Sequence, residues 1–68
     1  MITLIHTQYS PDKTRVAYAY YDAVKQQFLL RGYYNLAQTM SKVVLNEVEA
    51  TLVLDLYING KYDNLDHI

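Results

Sequence analysis

The chain has 68 residues, six basic and seven acidic side chains, a formal net charge of -1 and no cysteine. That length admits one domain with a marginal core, and the missing thiols exclude disulfides, thiolate zinc sites and a cysteine nucleophile. The charge balance lacks the basic excess with which nucleic-acid binders neutralise phosphate, and no apolar run approaches the roughly 20 residues of a membrane-spanning helix.

Residues 2–9 (ITLIHTQY) alternate and are rich in strand formers, which predicts a first strand. Ser10-Pro11-Asp12-Lys13 reads as a turn, with proline presetting φ at its second position. Residues 14–22 (TRVAYAYYD) and 27–34 (QFLLRGYY) predict two further strands, with the polar stretch around Lys25 and Gln26 as the loop between them. Asn35 with Gln38 three residues on has the spacing of a capping box. Leu36, Met40, Val43, Val44 and Val48 follow at helical spacing, so a helix is predicted over about 36–49. From Thr51 to Ile58 the period changes: Leu52, Leu54, Leu56 and Ile58 alternate with Val53, Asp55 and Tyr57, as in a strand. Asn59-Gly60 is a turn or hairpin signal.

The resulting expectation is a single α+β domain over 1–68: a small antiparallel sheet in β-β-β-α-β order, one helix on one face, and 61–68 as a loose polar tail. The alternative is an N-terminal strand followed by a helical hairpin. In that parsing Ser10 caps a helix, Pro11 opens it, Val16, Tyr20, Val24 and Phe28 line one face, and Gly32 stops it. The β-branched and aromatic content of 14–22 and 51–58 favours the sheet.

Tyrosine is the compositional outlier, with eight against one phenylalanine and no tryptophan. Its large, amphipathic ring suits half-buried and interface positions. Alternation places Phe28, Leu30 and Tyr34 on one side of the third strand and Leu29, Arg31 and Tyr33 on the other. Tyr18 and Tyr20 likewise separate from Ala17, Ala19 and Tyr21. Apolar and aromatic residues therefore occupy both faces, whereas a sheet with one wet face shows cleaner alternation. A second face half-buried by a symmetry mate or a partner accounts for this pattern, although tyrosines can also simply cover a wet sheet.

Catalytic constellations are thin. His6 and His67 form no H-x-x-x-H pair, no G-x-S-x-G occurs, and two glycines cannot build a phosphate-cradling loop. A nuclease-type centre using Arg15, Arg31, tyrosines and a histidine lacks the basic surface that would hold RNA. Asp55 to Asp66 (DLYINGKYDNLD) has the length of an EF-hand loop, but Tyr57 stands where an oxygen ligand is required and Asp66 is shorter than the usual closing glutamate. No catalytic residue, metal or cofactor is therefore assigned.

These features point to a small non-catalytic protein-binding module, expected to be a homodimer. The type suggested is a phage- or mobile-element accessory protein that inhibits a larger protein by occluding its surface. The expected contact residues are Tyr18, Tyr20, Arg31, Tyr33 and Tyr57, since tyrosine and arginine are the usual interface anchors. Single-stranded nucleic acid on a tyrosine-bearing sheet is the second option, and a small nuclease-type enzyme the third. The N-terminus lacks the basic start and long apolar run of a signal peptide, so the expected location is cytoplasmic, in the host if the protein is phage-encoded.

Overall fold

Three strands form where alternation predicts them: β1 (Ile2–Tyr9), β2 (Arg15–Asp22) and β3 (Gln27–Tyr34). In the computed structural model, which describes residues 1–62, they are followed by β4 (Ala37–Val44) and α1 (Glu47–Ile58). The four strands make one antiparallel meander in the order β1-β2-β3-β4. The architecture is α+β, as expected, with one helix among the described residues, but the order is β-β-β-β-α rather than β-β-β-α-β. The helical-hairpin alternative fails as well, because 15–34 is a strand pair in register from Arg15↔Tyr34 to Asp22↔Gln27.

The turns explain the register. In the first, Lys13 N–H donates to the Ser10 carbonyl at 2.9 Å, and Asp12 Oδ1 accepts from the Ser10 and Thr14 hydroxyls, each at 2.8 Å. In the second, Asp22 Oδ1 accepts from the N–H groups of Val24 (3.0 Å) and Lys25 (3.2 Å), an aspartate mimicking a backbone turn. The third decides the fold. Asn35 and Leu36 adopt φ of 50° and 72°, the two positive values of a tight type I′ hairpin turn, so Asn35 starts no helix. Residues 37–44 (AQTMSKVV) return as a strand in which Thr39, Val43 and Val44 suit a pleated surface.

The helix begins eleven residues later than predicted because its cap is Asn46, whose side chain accepts from Val48 N–H at 2.7 Å and Glu49 N–H at 3.3 Å. Glu47 and Glu49 add negative charge at the helix start, where the dipole favours it. Gly60, at φ 73°, terminates the helix: its N–H reaches the Tyr57 carbonyl at 3.0 Å, and Lys61 N–H reaches the Leu56 carbonyl at 2.8 Å. Asn59-Gly60 is thus a helix stop and not a hairpin, and Lys61 belongs to that stop. Asp55 and Tyr57 lie within a helix, which removes the EF-hand geometry; Asp63, Asp66 and His67 lie outside the described residues.

The core sits between α1 and one face of the sheet. Ala50, Val53, Leu54, Tyr57 and Ile58, spaced as one helical face, cover Ala17, Ala19, Leu30, Met40 and Val44. Alanines and Gly32 beneath the helix let it approach closely, and Tyr57 fills the resulting space with its ring against Gly32. Burying aliphatic side chains such as Val53, Leu54 and Ile58 stabilises by about 1.5–3 kcal/mol each. Two bulges tune the sheet. Ile5 is the extra residue of β1 between Leu4 and His6, and Thr39 the extra residue of β4 opposite Gly32 and Tyr33. The second bulge sets the Thr39 hydroxyl against the Tyr57 hydroxyl, satisfying a fully buried phenol.

Candidate functional site

The helix covers one face of the sheet, and the register fixes what the other carries. Thr7, Tyr18, Arg31 and Ser41 form one row across the four strands, and Leu4, Tyr20, Leu29 and Val43 form the next. Tyr9, Val16 and Tyr33 make a third row near the Ser10–Thr14 and Asn35–Leu36 turns. Leu4, Tyr9 and Val43 are about half exposed, and Val16, Tyr18, Tyr20, Leu29 and Tyr33 are partly shielded by one another. No element among the described residues covers this face.

Its aromatic centre is ordered. The Tyr18 and Tyr33 rings meet edge to face with centroids 5.8 Å apart, and Tyr20 leans on Tyr18 at 6.3 Å and 40°. Arg31 stands directly across from Tyr18 near the middle of the sheet, and its guanidinium donates to its neighbour's carbonyl, that of Leu30, at 2.9 Å. A groove of about 780 Å³ runs over the face between the two turns, with Tyr9, Lys13, Tyr18, Tyr33 and Leu36 among its walls. Leu36, at the hairpin tip, is 98% exposed while its backbone is left-handed.

Four of the five expected contact residues, Tyr18, Tyr20, Arg31 and Tyr33, are therefore brought together on one face. The fifth is corrected: Tyr57 is fully buried on the opposite side of the sheet, because the segment that carries it is a helix and its ring fills the core. Leu36 and Lys13 were missed at the rim. Asn35 carried a signal for the turn, since asparagine tolerates left-handed backbone, but leucine after it does not announce one.

The helix side offers less chemistry. A smaller hollow of about 210 Å³ is lined by His6 and Glu47 among apolar residues, with neither arginine beside them. His6 Nε2 lies 3.3 Å from Gln8 Oε1, and Gln8 Nε2 donates to Asp55 Oδ1 at 2.9 Å, tying the edge of β1 to the helix. Arg15 is occupied over the rings of Tyr34 and Tyr57, 4.8 and 5.1 Å from their centroids, on the face opposite Arg31. The two arginines and His6 thus do not converge on one cleft. Among the described residues no three His, Cys, Asp or Glu side chains are grouped to hold a metal ion, and no helix is long and apolar enough to cross a membrane. No family model, curated protein or solved structure matches the chain.

Proposed function

We propose that this domain binds another protein, stoichiometrically and without catalysis, through the open face of its sheet. The observation that carries the reading is the composition of that face: Leu4, Val16, Tyr18, Tyr20, Leu29, Tyr33 and Val43 stand where a one-sided sheet ordinarily presents polar residues. Four strands of eight residues, about 4.8 Å apart and rising about 3.4 Å per residue, span about 19 by 27 Å. That flat area, about 510 Å², falls below the roughly 800 Å² that each partner contributes to a standard interface and within the range of smaller, transient ones. The finer form of the reading is occlusion of a larger protein's surface by a small accessory protein of the phage or mobile-element type, a mode that needs one adhesive face and no catalytic group.

Nucleic acid fits the face less well. Tyr18 already engages Tyr33 edge to face and Tyr20 at a tilt, and Arg31 with Lys13 at the rim supplies too little charge to track a phosphate backbone. The test is co-purification from the cells that make the protein, comparing the natural chain with Tyr18→Ser/Tyr33→Ser. A protein retained at equal stoichiometry by the natural chain and lost with the variant, at unchanged helix and sheet content by circular dichroism, is the expected result. Equal retention by both, or retention of nuclease-sensitive material, overturns the reading.

A further inference from the structure

Arg31 is the one charged side chain in the three rows centred on Tyr18, Tyr20 and Tyr33; Asp22 stands on the same face at the far end of β2, four residues along from Tyr18, and among the described residues no carboxylate lies in those three rows. The row neighbours of Arg31 are Tyr18 and Ser41, and the flanking rows contribute Tyr20, Leu29, Val43, Tyr33 and Val16. The carboxylates of the described residues stand apart from Arg31 or are already engaged. Glu47, Glu49 and Asp55 are on the helix, Asp12 is bound within its own turn, and Asp22 holds the N–H groups of the second turn. Lys13, at the groove rim, adds a second positive group on the same side. The guanidinium's one hydrogen bond goes to a backbone carbonyl, so its planar fork is left free to receive a carboxylate.

Any occupant that covers this face desolvates Arg31, and a buried cation without a counter-charge is strongly unfavourable. That requirement selects among partners. A second copy packed face to face about a central dyad would set the same arginine of both chains close together, and the one carboxylate that the described residues place on this face, Asp22, is already held by the N–H groups of the second turn. A protein segment bearing an acidic residue among apolar ones meets the requirement. Leu36 adds an independent mark: leucine resists the left-handed backbone it adopts, its side chain gains no burial within the molecule, and it projects beside the groove. It lies on the order of 10–15 Å beyond Arg31 along the hairpin, about two turns of helix.

We infer that the occupant of the open face is a protein segment carrying an Asp or Glu that pairs with Arg31, flanked by apolar side chains, one of which seats against Leu36. The inference rests on the protein-binding reading above and specifies its chemistry. The test is selection from a displayed random-peptide library, performed separately on the natural chain and on Arg31→Glu, with Arg31→Leu as a variant that lacks charge. Peptides selected on the natural chain are expected to share one acidic position between apolar ones. They should bind Arg31→Glu at least tenfold more weakly, and selection on Arg31→Glu should place Lys or Arg at that position. Leu36→Gly should weaken the natural set while leaving its acidic position unchanged. Peptides that are lost with Tyr18→Ser/Tyr33→Ser but show no acidic preference, or the same preference on Arg31→Glu, overturn the inference and leave the protein-binding reading standing. Peptides indifferent to the tyrosine substitutions, or no selected peptide at all, overturn both. A salt-insensitive dimer abolished by Tyr18→Ser overturns it in favour of a second copy.

Discussion

A single methyl group placed under the helix tests the account of the core. A Cβ at Gly32 would lie 2.6 and 2.7 Å from Cε2 and Cζ of Tyr57 and 3.0 Å from Cβ of Met40. Tyr57 is fully buried, so its ring can yield only by shifting the helix or leaving the Thr39 hydroxyl and the Arg15 guanidinium. Overpacking of this kind costs about 1–3 kcal/mol, and the displaced hydrogen bond about 1 kcal/mol more. Against this stands a gain of about 0.4–1 kcal/mol from restricting the unfolded chain, since Gly32 does not use left-handed backbone. Gly32→Ala should therefore destabilise by about 1–3.5 kcal/mol, lowering the melting temperature by about 4–28 °C for a domain of this size. Urea unfolding read by circular dichroism measures it. In a Tyr57→Leu background the clashing ring atoms are gone, so the same substitution should cost less by about 1–2 kcal/mol. A cost below about 0.5 kcal/mol in the natural chain, or equal costs in both backgrounds, would refute the close-approach argument.

Three further outcomes follow from local geometry. Asn46→Ala removes the acceptor for two N–H groups at the helix start and should cost about 1 kcal/mol in urea unfolding; no change would mean that the cap contributes nothing. Leu36→Gly should stabilise the hairpin by about 1 kcal/mol, because φ of 72° suits glycine, and a loss of stability instead would show that Leu36 has an internal role. Hydrogen bonds from the Ser10 hydroxyl, and then from the Thr14 N–H and hydroxyl, hold the Asp12 carboxyl at about 2, below its ordinary 3.8. The native state thus favours the charged form: its contribution is complete above about pH 4 and is lost as pH falls towards 2. A carboxyl-carbon NMR titration of Asp12 should show that depressed midpoint, and Asp12→Asn should remove this component of the acid sensitivity.

Much of the molecule follows from sequence alone. Alternation in ITLIHTQY, RVAYAYYD and QFLLRGYY determines three strands and the partition of Tyr18, Tyr20, Arg31 and Tyr33 from Ala17, Ala19 and Leu30. The Ser10-Pro11-Asp12-Lys13 turn was equally legible, because its side chains close it locally. The exchange of helix and strand in the last third was not. Residues 37–44 carry Met40 and Val44 four apart, which suits either period, and TLVLDLYI satisfies alternation as well as it satisfies the Ala50-Val53-Leu54-Tyr57-Ile58 face. Two asparagines, Asn35 and Asn46, each stand three residues before a Gln or Glu, and local sequence cannot rank them as caps. Tertiary structure decided between them. Pairing of β4 with β3 demands a tight turn at Asn35-Leu36, and a sheet floor of Ala17, Ala19 and Gly32 admits a helix with a buried Tyr57 above it. That choice moved Tyr57 from the predicted contact surface into the core and left the tyrosine face open, because one twelve-residue helix can cover only one side of a four-stranded sheet.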